Sequence, residues 1–188
     1  MNASIEKYLK AYNWMQWLGW LSASCLLMSG VSAAFWVLSA FQLLALAEIF
    51  HAYKKWSSTT VALCAAQTGA RIYMLIWMYI LVIEGNAATD TITKTIAYIM
   101  LYCWCLAEII RYGYYLFRDS DVWKWCRYNA FRLLYPVGVS CELFLLYVVF
   151  SRTAELWIKI LMIITLAAYI IAFPKLYLHL QKQRKQKL

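Results

Sequence analysis

Six apolar segments occupy almost the whole chain, at roughly residues 12–30, 32–53, 60–82, 95–117, 125–150 and 154–178. A helix that crosses a bilayer needs about 20 such residues, with a range of about 17–25. In hydrocarbon every backbone N–H and C=O must find its partner inside the protein, and runs of this length do so as helices. The expected fold is therefore all-α, a polytopic membrane protein. One transmembrane domain covers residues 1–188 as a six-helix bundle. Composition agrees: of 188 residues 64% are hydrophobic and 14% charged, with a mean hydropathy of +0.59. A soluble domain carries about 25% charged residues.

The charges are distributed as topology requires. With the N-terminus in the cytoplasm, the inner face collects Lys7, Lys10, Lys54, Lys55, Arg118, Lys124, Arg127 and the basic tail 175–188. The outer face then holds Glu84, Asp90, Lys94, Arg152 and Glu155. This asymmetry obeys the positive-inside rule and puts both termini in the cytoplasm. The net charge of +9 therefore points to topology. Nucleic acid is not an expected partner, because its footprint is a basic stripe on a soluble domain. The ten Trp and fifteen Tyr suit interfacial belts. The N-terminal segment is read as a retained first helix, since no small-residue cleavage site closes a short apolar core. Asn2-Ala3-Ser4 fits a glycosylation acceptor pattern, which has no meaning on the cytoplasmic side.

Segment boundaries follow local signals. Gly30 to Ser32 is the only break between the first two segments. Ser57, Ser58, Thr59 and Thr60 form a cap cluster ahead of the third. The most polar loop, GNAATDTITK, precedes the fourth, and Pro174 closes the sixth. The six cysteines lie in or beside apolar segments, without zinc-like spacing and with only two histidines in the chain. No disulfide or metal framework is implied.

Ionisable residues inside such segments need a reason, because each costs roughly 2.5–3.5 kcal/mol at mid-helix. Glu48, His51, Arg71, Glu108, Arg111, Arg132 and Glu142 fall within or near the spans. Glu108 and Arg111 are three apart and share a helix face, as do Glu48 and His51. Arg71 is expected to pair with Glu48 across helices. One reading makes these five a structural glue. The other has Arg71 and Arg111 neutralising anionic groups of a ligand near the cytoplasmic mouth.

The stretch Arg132 to Glu142, RLLYPVGVSCE, is the sharpest. Tyr135 and Glu142 are seven apart, nearly two helical turns, so they share a face about 10.5 Å apart along the axis. Gly138 lies between them and is expected to open a notch. Pro136 removes one backbone donor and should kink the helix near Arg132. A glutamate and a tyrosine on one face can act as an acid/base pair around a small group of substrate atoms. The alternative is a kinked helix with a buried Glu–Arg or Glu–Tyr hydrogen bond. Counted from Lys124, Glu142 would lie about 27 Å into the membrane, deep for a ligand arriving from the cytoplasm.

LYPVGVSCE resembles the signature of the membrane very-long-chain (3R)-3-hydroxyacyl-CoA dehydratases, the family once called protein tyrosine phosphatase-like. KWCRYNAFRLLYPVGVSCE, AEIIRYGYYLF, FQLLALAEIFHA, QTGAR and YLKAYNWMQWLGW are similar to family segments in family order, so the resemblance covers nearly the whole chain. It implies an endoplasmic reticulum enzyme of fatty acid elongation that removes water from a (3R)-3-hydroxyacyl-CoA to give a trans-2-enoyl-CoA. It implies six spans and no cofactor, the CoA thioester being substrate. The expected partners are membrane lipid, the elongase condensing enzyme and the reductases. The family's catalytic pair falls on Tyr135 and Glu142. Its other motif positions fall on Glu48, Arg71, Glu108, Arg111 and Arg127. Two departures stand out. Lys54, Lys55 and Trp56 follow EIFHA where a glycine is usual, and QTGAR lacks the usual hydroxyl-bearing residue before its arginine.

Two other classes compete with an enzyme. One is a catalytically inactive scaffold or subunit of a membrane complex, against which the intact Tyr–Glu pair argues. The other is a small transporter, which usually shows inverted repeats that this chain does not display. Phosphatase chemistry is not expected: the cysteines are read as lacking the five-residue spacer and Arg that a nucleophile loop requires, with Cys126 followed at once by Arg127 on a helix.

Overall fold

The computed structural model describes residues 2–57, 59–84 and 91–187. Among these residues the regular structure is helical: α1 (Ala3–Leu27), α2 (Val31–Leu44), α3 (Ala47–Tyr53), α4 (Val61–Met78), a π-helical continuation (Tyr79–Glu84), α5 (Thr91–Leu116), α6 (Asp121–Asn129), α7 (Phe131–Arg152) and α8 (Leu156–Lys187).

The first helix begins nine residues ahead of the expected segment. Asn2 Oδ1 accepts the Ser4 N–H at 3.2 Å and Glu6 sits in the first turn, both favourable at a helix N-terminus. The acceptor-like tripeptide is thus a helix cap. α1 ends where expected, because Gly30 takes φ +125°, a conformation that disfavours any side chain.

The segment expected at 32–53 breaks at Ala45–Leu46, although neither Pro nor Gly is present. The i−4 ladder gives way to i−3 bonds from Leu46 to Leu43 and from Glu48 to Ala45. Two α1 side chains supply donors at the break: the Tyr12 hydroxyl reaches the Leu44 carbonyl at 3.3 Å and Gln16 Nε2 reaches that of Phe41 at 3.3 Å. α3 then closes in a Schellman motif. Lys55 N–H bonds to Ala52 O (3.0 Å), Trp56 N–H bonds to His51 O (2.8 Å), and Lys55 takes φ +59°. Trp56 stacks on His51 and meets Phe50 edge-on, completing the apolar contact of that motif.

Thr60 caps α4 through the Leu63 N–H at 3.4 Å, as the cap cluster predicts. Ser58 of that cluster lies outside the described residues, as do residues 85–90 of the polar loop, Asp90 among them. α5 already begins at Thr91 rather than 95.

The segment expected at 125–150 is two helices that meet at Ala130. There Leu133 N–H bonds only three residues back, to Ala130 O at 3.1 Å. α7 runs on through Pro136, so the expected kink near Arg132 is instead a break before Phe131. The break shortens the depth problem: counted from Phe131, Glu142 lies about 16 Å along α7. Pro174 does not end the last helix either, and α8 continues to Lys187. A proline's fixed φ is helical, and it removes only one internal bond.

Five helical stretches are long and apolar enough to cross a membrane: Ser32–Tyr53, Val61–Leu81, Thr91–Leu116, Phe131–Arg152 and Leu156–Gln186. α1 is not among them; its first turns carry Glu6, Lys7 and Lys10, and it buries Gln16.

α5 is the centre of the bundle, packed by α1 on one side and α7 on the other. Trp20, Leu38, Met74, Met100, Leu101 and Leu145 are fully buried around it. α8 packs mainly on α7 and α6 and turns Ile160, Ile163, Ile164, Ile170 and Ile171 outward, as a lipid-facing helix would. α6 closes one end. Its Trp123 lies on Gly113 of α5, where an added Cβ would stand 2.3 Å from the ring, and it also meets Trp17 of α1 edge-on. Gly113→Ala is therefore expected to destabilise the fold by about 1–3 kcal/mol through overpacking, read as a lower thermal midpoint in detergent.

Candidate active site

Four ionisable residues from three helices form one cluster. Arg111 on α5 donates Nη1 and Nη2 to the two oxygens of Glu48 on α3, at 2.6 and 2.8 Å. Its Nε donates to Glu108, one turn earlier on α5, at 2.7 Å. Arg71 on α4 pairs with the other oxygen of Glu108. The Tyr112 hydroxyl also donates to Glu48. The expected Glu108–Arg111 pair forms. The expected Arg71–Glu48 pair does not, because Arg111 reaches Glu48 first with a two-pronged fit and Arg71 takes Glu108. His51 does not bond Glu48 either. Its Nε2 lies 3.0 Å from the Tyr8 hydroxyl, and its ring stacks on Trp56. Two acids and two bases thus neutralise one another. Arg111 spends Nε, Nη1 and Nη2 on the two glutamates, whereas Arg71 spends Nη1 on Glu108 and its side chain is 25% exposed.

Glu142 on α7 is treated differently. Its Oε1 accepts Trp104 Nε1 from α5 at 2.8 Å, and its Oε2 accepts the Tyr169 hydroxyl from α8 at 2.5 Å. Both donors are neutral, and among the described residues no cation bonds to this carboxylate. The two centres meet at Trp104, whose ring carries the Arg71 guanidinium 5.4 Å from its centroid.

Tyr135 lies on the same side of α7, toward α8. Its ring stacks on Phe173 at 5.1 Å with a 4° tilt and on Tyr177 at 6.4 Å. No hydrogen bond joins it to Glu142, as the seven-residue spacing requires. Gly138 is buried against α5, and a Cβ there would rest 3.8 Å from Cys103 Cβ. The notch expected between Tyr135 and Glu142 is therefore closed by the neighbouring helix. Arg127 stays on α6, half-buried, with no ion pair to a described residue.

Trp104 and Tyr169 were not among the residues singled out by sequence. A signal for each exists. Trp104 is four residues before Glu108, on the same face of α5. Tyr169, Phe173 and Tyr177 recur every four residues along α8. That stripe reads as a lipid anchor in sequence and is a helix–helix seam in space.

Contrary to the sequence expectation for the cysteines, two pairs have the Cys-x5-Arg spacing of a phosphatase nucleophile loop, Cys105 with Arg111 and Cys126 with Arg132. Cys126 and Arg132 lie on separate helices, α6 and α7, on either side of the break at Ala130. Cys105 and Arg111 sit on the continuous helix α5, so the intervening N–H groups are used by the helix. The thiol is fully buried, and Arg111 is held by two glutamates. The structure offers no phosphate cradle there.

Residues 42–188 match the family described as protein tyrosine phosphatase-like protein, PTPLA. Among similar curated proteins are very-long-chain (3R)-3-hydroxyacyl-CoA dehydratase 1 of Ovis aries, 32% identical over 170 residues covering 80% of this chain and 57% of that protein, and dehydratase 2 of Homo sapiens, 32% identical over 168 residues covering 79% and 64%. The probable very-long-chain (3R)-3-hydroxyacyl-CoA dehydratase of Schizosaccharomyces pombe is 30% identical over 208 residues, covering 96% of this chain and 92% of that protein. The chain spans about three fifths of the length of the sheep and human proteins. No solved structure matches. With most of its length matched and a fungal relative aligned nearly end to end, the chain belongs to the protein tyrosine phosphatase-like, PTPLA, family.

Proposed function

We propose that this protein removes water from a (3R)-3-hydroxyacyl-CoA to give the trans-2-enoyl-CoA, the dehydration step of very-long-chain fatty acid elongation. The observation that carries the proposal is the environment of Glu142. Glu48 and Glu108 are neutralised by arginines, whereas Glu142 sits within a span and is held only by neutral donors. A carboxylate placed this way is free to take up and release a proton. The names of the relatives supply the reaction class in which such a group has work.

In the reaction the thioester acidifies the C2 proton, and a base must remove it while an acid protonates the departing C3 hydroxyl. Glu142 moves the C2 proton, and Tyr135 donates to the leaving oxygen, which departs as water. The water formed relays the proton from Glu142 to the Tyr135 oxygen, which restores both groups. Trp104 and Tyr169 fix the carboxylate, and Arg71 braces Trp104 from its other face. Glu48, Glu108 and Arg111 hold that brace in place, and Gly138 lines the contact of α7 with α5. Arg127 belongs to the substrate mouth.

The protein then spans the endoplasmic reticulum membrane six times, with α1 as the first span and both termini in the cytoplasm. The elongase condensing enzyme and the two reductases, which make its substrate and use its product, are the proposed partners.

The test is dehydration of a 3-hydroxyacyl-CoA by purified protein, wild type against Glu142→Gln and Tyr135→Phe. Undiminished turnover in both variants removes the assignment; a wild type without turnover removes the enzyme reading in favour of a scaffold. Trp104→Phe keeps the ring and loses the N–H, and is expected to lower kcat about tenfold, one charge-assisted hydrogen bond being worth about 1.5–3 kcal/mol.

A further inference from the structure

Arg111 is held by two glutamates and Arg71 is paired with Glu108, so cations outside this cluster, without a carboxylate partner, are better placed to meet the phosphates of a CoA ester. They lie at the open end of the α7–α8 seam. Arg132 on the first turn of α7 and Gln181, Arg184 and Lys185 near the end of α8 line one pocket. Arg132 and Lys185 are exposed, and Arg184 is oriented by its Nε bond to Asn129 Oδ1 at 2.9 Å. Among the described residues no carboxylate pairs with any of the three. Cations gathered around a hollow without a counter-charge repel one another unless an anion enters.

From this pocket the seam leads inward by successive rungs. Phe131 meets Tyr177 at 5.8 Å, Tyr135 stacks on Tyr177 and Phe173, and Tyr169 bonds Glu142. On α8, residues 169, 173, 177, 181 and 184 follow at steps of three or four and so share one face. Arg132 and Glu142 are ten residues apart on α7, about 15 Å along its axis. Between the diphosphate and the sulfur of CoA lie about thirteen single bonds; at the extended peptide reach of about 3.4 Å per three bonds, that arm also spans about 15 Å.

We infer that Arg132, Arg184 and Lys185, with Gln181, form a phosphate-binding site that takes the diphosphate of a CoA thioester whose pantetheine arm follows the aromatic seam to Glu142. The inference rests on the dehydratase reading. The same chemistry would suit the phosphate of an anionic phospholipid headgroup, so the experiment separates the two.

The full chain is purified into phosphatidylcholine nanodiscs and assayed with a 3-hydroxyacyl-CoA and with the same acyl group on N-acetylcysteamine, which has no phosphate. Arg132→Gln/Lys185→Gln alters two exposed side chains that bond no described residue, so the fold is retained. The variant is expected to lose about 30-fold in kcat/KM for the CoA ester, carried by KM, and less than about threefold for the phosphate-free ester, since charge-assisted bonds to phosphate are lost from one substrate only. Equal losses on both esters, or none on either, overturn the inference. Lys182→Gln, on α8 but outside the pocket, is expected to leave the KM for CoA ester unchanged; an equal rise there would mean a diffuse field and no site. A difference between wild type and variant that appears only when phosphatidylserine is added assigns the pocket to lipid and overturns the CoA path. If wild type turns over neither ester, the dehydratase reading has failed, and calorimetric titration with free CoA decides the site alone. Binding weakened about tenfold in the double variant supports it, and unweakened binding overturns it.

Discussion

Glu142→Gln is expected to lower kcat for 3-hydroxyacyl-CoA dehydration by about 10³-fold, within the range of about 10²–10⁴ for loss of a general acid–base group. The substitution is nearly isosteric. The amide keeps one oxygen to accept from either Trp104 Nε1 or the Tyr169 hydroxyl, which now hold one carboxylate oxygen each at 2.8 and 2.5 Å. With its oxygen toward Trp104 Nε1, the amide N–H can donate to the Tyr169 hydroxyl oxygen, so both contacts are kept and thermal stability should change little while turnover collapses. KM should hold, because the carboxylate is assigned to proton transfer and not to binding. Tyr135→Phe is the companion variant. Its ring stack on Phe173 and Tyr177 survives loss of the hydroxyl, so a fall in kcat there reports on the hydroxyl alone. A Glu142→Gln enzyme with wild-type kcat would falsify the proton-transfer role, whatever the fate of Tyr135.

The largest effect on stability is expected from Arg111→Ala, about 3–5 kcal/mol, the usual consequence of removing one partner from a buried ion pair. Arg111 contacts both Glu48 and Glu108 and uses Nε, Nη1 and Nη2 to do so. Its loss leaves two carboxylates inside the bundle with Arg71 as the remaining cation. Arg111→Lys should recover little, since a single ammonium cannot reproduce three donors in a plane. Pairing Arg111→Ala with Glu48→Gln should recover part of the loss, because one of the stranded charges is then gone. Denaturant or thermal unfolding in detergent measures all three. Near-wild-type stability of the alanine variant would show the cluster to be solvated.

What could be read from sequence was what depends on near neighbours. Glu108 and Arg111 pair because three residues along a helix fix their distance. Gly30 breaks the first two helices, and Thr60 caps the fourth, for equally local reasons. Partners across helices were not legible in the same way. Arg71 and Arg111 each had two acids to choose from, and only the packing of α3 and α4 against α5 decides between them. The break at Ala45–Leu46 depends on Tyr12 and Gln16, which are 32 and 25 residues away from the carbonyls they reach. Pro174 was read as a stop from local chemistry that the helix tolerates. Tyr169 was hidden because an aromatic in an apolar helix looks the same whether it faces lipid or a carboxylate. The site is thus half legible: Tyr135 and Glu142 stand in a motif, while the groups that hold Glu142 come from elsewhere in the chain.

The turn after α3 bears on the family pattern itself. Where the resemblance implies a glycine, this chain places Lys55 at φ +59°, the left-handed conformation that a glycine adopts at no steric cost. A side chain in that conformation costs about 1 kcal/mol relative to glycine, and the stacking of Trp56 on His51 and its edge contact with Phe50 offset it. A glycine at that position would serve the same corner, so the departure is accounted for by backbone shape: it changes the residue that makes the turn and not the path the chain takes into α4.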